Sequence, residues 1–250
     1  MTHRDIKAIF FDAGGTLIHL DSAYVCHFVK KELNIELAAD RFRRAQFLAM
    51  SRVAELVAAG AGSTEKLKRD FYSTLLPEVG VAEAELSPAV ECVLKLAQGE
   101  MLWRATDETN AETLAALKAR GLALGVISNS DGRIESAFQQ AGLSSYFDFF
   151  IDSFHAGVEK PDPRIFHLAV ERAGVNPDQA AHVGDLYWVD VVGARSAGLL
   201  PILYDPYDFN RGVDCLRIGA IDELLGETVW VSGVVNRRIR RLGLREKCKG

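Results

Sequence analysis

The stretch AIFFDAGGTLIHL (residues 8–20) decides how the rest of the chain reads. An unbroken apolar run reaches Phe11, stops at one carboxylate, Asp12, and passes into Ala-Gly-Gly-Thr. Apolarity without alternation marks a strand buried on both faces, as in a parallel sheet covered by helices. In such sheets ligands bind beyond the carboxyl ends of the strands, where Asp12 stands. Two residues on, where a second acid could assist the first, the chain carries Gly14.

Four further runs resemble the first: LALGVIS (122–128), FDFFID (147–152), AAHVGD (180–185) and LLPILYD (199–205). Helical patterns lie between them. TNAETLAALKAR (109–120) opens with a predicted capping box, Thr109 to Glu112, and stops at Gly121. PRIFHLAVERAG (163–174) has Pro near its start and Gly at its end. Strand alternating with helix predicts an α/β fold, a Rossmann-like parallel sheet with helices on both faces. Residues 20–100 break the rhythm. Phe42, Ala45, Ala49, Val53 and Leu56 recur at helical spacing, and Gly60-Ala-Gly62-Ser63 separates one helix from the next. The chain therefore divides into a core of 1–19 and 101–236, an inserted helical domain of 20–100, and a tail of 237–250. The stretch RRIRRLGLREKCK (237–249) has seven basic residues and one acid, the pattern of a solvated end.

Composition narrows the class. With 250 residues, 48% of them hydrophobic, the chain can bury a substantial core. A net charge of −5 argues against a nucleic-acid binder, and no run approaches membrane-spanning length. Cys26, Cys92, Cys215 and Cys248 show no metal-ligand or disulfide spacing. The first residues, MTHRDIKAIFFD, are unlike a signal peptide, so the expectation is a cytoplasmic protein, monomer or homodimer.

The strand ends supply Asp12, then Ser128 and Asn129, then Asp185, and Lys160 follows the FDFFID run. A carboxylate, a hydroxyl, an amine and a second carboxylate on one sheet edge suit phosphoryl transfer. A nucleophilic carboxylate can approach a phosphate only where cations offset the repulsion. Lys160 and a divalent metal on Asp12 and Asp185 would provide them, and Mg2+ prefers such oxygen ligands.

FFDAGGTL, ISNS, EKPDPRIF and GDLYWVDVVGARSAG resemble, in order, the four motifs of the haloacid dehalogenase-like (HAD) hydrolase superfamily. The resemblance runs from residue 6 to about 225, including LRIGAIDELL, which is similar to the family's last strand and helix. The helical insertion resembles the family's C1 cap. The resemblance implies Asp12 as nucleophile, Ser128 and Asn129 at the phosphate, and Lys160 as the neutralising amine. It implies Asp12, the Gly14 main-chain oxygen and Asp185 as Mg2+ ligands, with Asp190 supporting the metal. The implied substrate is a small phosphorylated metabolite. Family phosphatases usually carry a second acid where this chain has Gly14, to protonate the leaving group. Its absence opens two rivals: a metal-independent 2-haloacid dehalogenase, and a catalytically weak binding or regulatory protein. The dehalogenases lack the acid that Asp185 supplies, which favours the phosphatase.

Blander readings stand beside these. Asp190 precedes a helical pattern and suits an N-cap as well as metal support. His155 and His182 read as locally packed or hydrogen-bonded, and Trp188 as packed, with a pocket role as the lesser reading. Lys30, Lys31, Lys66, Lys68 and Lys95 read as solvated, so a Schiff base such as phosphonoacetaldehyde hydrolases use is not indicated. Arg52 and Arg104 are weaker candidates for reaching substrate.

Overall fold

The structure, a computed structural model, describes residues 5–58, 60 and 64–226. The basic tail and Cys248 lie outside them. Six parallel strands form the sheet, in the order β5-β4-β1-β6-β7-β8. In chain order β1 is Ala8–Phe11, and a short ribbon strand β2, His19–Leu20, follows it. The inserted helices are α1 (Ser22–Leu33), α2 (Phe42–Ala58), α3 (Thr64–Glu78) and α4 (Glu83–Gly99). The chain returns through β3, Trp103–Ala105, antiparallel to β2, with His19 opposite Ala105 and Leu20 opposite Trp103. Then come α5 (Asn110–Ala119), β4 (Ala123–Ser128), α6 (Ile134–Gln140), β5 (Phe149–Asp152), the single turn α7 (Ser153–Ala156) and α8 (Pro163–Ala173). The series ends with β6 (Ala180–Gly184), α9 (Val192–Ser196), β7 (Leu200–Tyr204) and β8 (Leu216–Ile218).

This is the α/β sheet that the strand runs predicted. Every residue of β1 is fully buried, as its unbroken apolarity requires. One face packs Ile9, Phe11, Leu124, Val126 and Val183 against Leu114, Leu117 and Phe138. The other packs Phe10 and Ile127 against Ile165, Phe166 and Ala169 of α8. The inserted helices bury a separate core, with Phe42, Ala45 and Ala49 of α2 against Phe71, Leu75 and Leu76 of α3 and Val90 and Val93 of α4. Val53 and Leu56, on the same stripe, are half-buried.

The capping box at Thr109 does not form. Thr109 has helical backbone angles, φ −80° and ψ −13°, and its side chain makes no capping hydrogen bond. Capping needs an extended backbone that swings the hydroxyl over the first turn. Asn110 instead ties the helix start inward, donating to the Leu17 carbonyl at 3.4 Å and to Thr106 Oγ1 at 3.0 Å. At α8 the expected asymmetry is present: Asp162 accepts from Arg164 N, Pro163 opens the helix, and Gly174 closes it at φ +65°. Asp190 does not cap α9, whose N-cap is Val191 with no side-chain bond. On urea denaturation, Thr109→Ala should move the unfolding free energy by no more than about 0.5 kcal/mol. Asp162→Ala should cost about 1 kcal/mol.

Candidate active site

Strand register assembles the site. Phe11 lies level with Val126 of β4 and Val183 of β6. Asp12, Ser128 and Asp185 therefore follow within two residues at one edge of the sheet. β1 lies between β4 and β6, where the strand order reverses, the usual ligand crevice of such folds.

Side chains converge there from four segments. Lys160 is 2% exposed, and its Nζ donates to Asp12 Oδ1 at 2.6 Å and to Asp190 Oδ1 at 2.7 Å. Asp12, Asp185 and Asp190 each bring a carboxylate oxygen within 4.8 Å of the others, and all three are buried. Thr16 Oγ1 lies 3.2 Å from Asp12 Oδ2 and 3.4 Å from Asp185 Oδ1. Asp190 is fully engaged, since Oδ1 also meets His182 Nε2 at 2.9 Å and Oδ2 accepts from Leu186 N at 3.0 Å. Asp185 is not. Its Oδ2 is buried and finds no hydrogen-bond donor among the described residues.

Electrostatics follow from burial first and neighbours second. Burial opposes the Lys160 charge, but Asp12 and Asp190 outweigh it and hold the ammonium above its ordinary pKa. Burial pushes the Asp190 carboxyl upward, yet Lys160 and His182 reverse this and keep it below the usual range. Burial raises Asp12 despite Lys160. Asp185 lies well above the carboxylate range, because burial and the charges of Asp12 and Asp190 act together. Two glycines allow this crowding. A Cβ on Gly15, held at φ +100°, would lie 2.3 Å from Asp185 Oδ2, and one on Gly184 would lie 2.2 Å from Asp190 Cγ.

The sequence-predicted residues divide by what they touch. Asp12, Lys160, Asp185 and Asp190 form one cluster. Ser128, buried at the end of β4, makes no side-chain hydrogen bond among the described residues. Asn129 is committed to the backbone of Lys160, donating from Nδ2 to its carbonyl and accepting its N–H at Oδ1, both at 2.8 Å. Arg52 pairs with Glu55 on the surface of α2, and Arg104 with Asp21, over the Tyr24 ring. Trp188 is 55% exposed rather than packed. His182 is buried and bonded to Asp190; exposed His155 stacks edge-on with Phe154.

Sequence reasoning missed Thr16, although it sits inside the first motif, and missed His182 as a partner of Asp190. It also missed Trp103. The Trp103 indole packs over Gly14: a Cβ there would meet its Cε3 and Cζ3 at 3.3 Å, a tight contact that a shift of a few tenths of an ångström would relieve. Phe71 lies against the same indole at 5.8 Å between centroids, with Tyr72 beyond it at 5.1 Å.

A family model for haloacid dehalogenase-like hydrolases matches residues 6–198. The chain is a HAD-like hydrolase. Over 208 residues it is 33% identical to haloacid dehalogenase-like hydrolase domain-containing protein 3 of Bos taurus, covering 80% of this chain and 82% of that protein. It is 29% identical over 199 residues to the glyceraldehyde 3-phosphate phosphatase of Methanothermobacter thermautotrophicus, covering 79% and 85%. Among solved structures, the HAD-hydrolase YfnB of Bacillus subtilis, bound to magnesium, superposes with a TM-score of 0.65 at 20% identity, covering 88% of this chain and 96% of YfnB. At that identity the likeness concerns the HAD fold alone.

Asp185 carries a stability cost that this HAD hydrolase can reveal. Its carboxyl is raised in the folded state, so folding loses free energy as pH rises above the ordinary carboxylate value. In EDTA at pH 7, Asp185→Asn should therefore raise the thermal midpoint, by an amount matching about 1–3 kcal/mol. The gain should shrink as pH falls through 4 and vanish toward pH 3 and below, where the wild-type carboxyl is mostly protonated in both states; a gain constant with pH would exclude the charge as its origin.

Proposed function

We propose that this HAD hydrolase is a Mg2+-dependent phosphatase of a small phosphorylated metabolite, working through an aspartyl-phosphate on Asp12. The observation that carries the proposal is the buried Oδ2 of Asp185 beside Asp12, which meets no donor among the described residues. Three buried carboxylates around one ammonium leave two negative charges in excess if all are ionised, and oxygen donors of this kind suit Mg2+. Asp12 and Asp185, with the Gly14 main-chain oxygen, would hold the ion, and Asp190 would support it through the Lys160 and Leu186 contacts. When bound, Mg2+ would offset the charge of the phosphate and polarise its oxygens. A metal-independent dehalogenase has no use for a carboxylate at residue 185. The phosphatase among the relatives and the magnesium in YfnB agree with this reading.

In the proposed reaction an Asp12 oxygen attacks phosphorus, and the bond to the leaving-group oxygen breaks. Lys160 holds Asp12 in place, and Thr16 steadies its other oxygen. Ser128 donates to a phosphate oxygen, while Asn129 acts indirectly by fixing the Lys160 backbone. Water then attacks phosphorus, releasing phosphate and restoring Asp12. No side chain at residue 14 protonates the leaving group, a loss worth about 10²–10⁴-fold for poor leaving groups. Acyl and aryl phosphates, whose leaving groups depart unprotonated, are the favoured substrates.

A panel of acetyl, aryl and alkyl phosphates with 2-chloropropionate, assayed in Mg2+ and in EDTA, tests the reading. Phosphate release should require Mg2+ and vanish in Asp12→Asn. Chloride release that persists in EDTA would replace the phosphatase with the dehalogenase. Gly14→Asp alone should gain less on alkyl phosphates than the same change with the indole removed, because its Cβ crowds the indole. Gly14→Asp with Trp103→Ala should gain at least tenfold on alkyl over aryl phosphates. Equal gains on both would remove leaving-group protonation as the missing step.

A further inference from the structure

His182 lies in mid-strand on β6, level with Phe10 of β1, and is 1% exposed. Its ring meets that of Phe166 of α8 edge-to-face, with 5.0 Å between centroids. Nε2 lies 2.9 Å from Asp190 Oδ1, while Nδ1, also buried, meets no partner among the described residues. A core imidazole with one nitrogen unmatched costs more than an apolar side chain of similar size. Packing alone therefore does not account for it.

Asp190 reaches the imidazole by folding back over the strand that precedes it. His182 and Gly184 are two residues apart on β6 and so share a face. A Cβ on Gly184 would lie 2.2 Å from Asp190 Cγ, so the bare glycine is what lets the carboxylate lie there. Asp190 Oδ1 then has two donors, His182 Nε2 and Lys160 Nζ. Lys160 Nζ in turn has two acceptors, Asp190 Oδ1 at 2.7 Å and Asp12 Oδ1 at 2.6 Å. Pairing with an ammonium keeps Asp190 ionised, and an ionised carboxylate only accepts, so His182 Nε2 carries the proton. Two carboxylates compete for one ammonium. A donor on one of them draws charge from the shared oxygen and weakens its hold on the ammonium.

We propose that His182 is a positioning residue: by donating to Asp190 Oδ1 it limits the pull of Asp190 on Lys160 and so keeps the ammonium on Asp12. The proposal rests on Asp12 being the nucleophile, and it adds a residue behind the site that touches no substrate. Without the donor, Asp190 draws Nζ toward itself, and Asp12 loses part of the contact that fixes it. Attack on phosphorus then suffers, rather than substrate binding.

A matched pair of variants in the full chain tests it. His182→Gln places an amide N–H about where Nε2 stands, and His182→Met has the same length and no donor. On an aryl phosphate in Mg2+, His182→Met should lower kcat at least tenfold with KM within twofold. His182→Gln should keep at least a third of the wild-type kcat. Ammonium-selective 1H–15N spectra without Mg2+ supply a readout that needs no turnover: the Lys160 resonance should move in His182→Met and return in His182→Gln. Where His182→Met does not fold, His182→Asn, whose amide stops one bond short of Nε2, takes its place. Folded variants alike in the Lys160 resonance would overturn the proposal, as would variants alike in kcat, a loss carried by KM, or an Nδ1–H pattern for wild-type His182 in histidine-selective spectra. A wild type that releases no phosphate would defeat the phosphatase reading instead, and the Lys160 resonance would still decide the role of His182.

Discussion

The site is organised around one ammonium held between two buried carboxylates. Lys160 lies 2.6 Å from Asp12 and 2.7 Å from Asp190. At an effective dielectric near 20, each contact is worth roughly 6 kcal/mol of attraction, against at least roughly 3 kcal/mol for each pair of like charges no more than 4.8 Å apart. The two attractions hold Asp12 and Asp190 in place, and neither reaches Asp185 by a direct contact. The third carboxylate stays because the backbone puts it there, at the end of β6, with Gly15 and Gly184 leaving room. Positional constraint exceeds local compensation at that point, as is common where a fold maintains a functional site.

Around this pair the neighbouring contacts are directional. His182 and Leu186 N complete Asp190, and Asn129 grips both backbone groups of Lys160. Lys160 lies in a loop, so its long side chain would otherwise sample many rotamers. The Asn129 clamp and the two carboxylates remove that freedom in advance.

Trp103 links the insertion to the loop after β1. Its indole covers Gly14 on one side and abuts Phe71 of α3 on the other. The indole narrows the space beside Gly14 without closing it. A side chain at residue 14 would crowd the β3 indole, which would have to give by a few tenths of an ångström.

The local pattern of the sequence determined much of this protein. Unbroken apolar runs specified parallel strands, because a strand under helices on both faces has no polar side. Asp12, Ser128 and Asp185 were legible because strand ends converge on one edge in any parallel sheet, and Lys160 because it stands inside a motif of fixed order. Tertiary structure alone decided the contacts between distant stretches whose local patterns are ordinary. Trp103 reads as any aromatic in a short apolar segment, and nothing local tells that His182 meets Asp190 or that Asn129 meets the Lys160 backbone. The Thr109 box failed for a related reason: packing of Asn110 against Leu17 set the helix start, and no local rule encodes a partner across the chain. Spacing along a chain specifies periodicity and order; only packing specifies which groups come within 3 Å of one another.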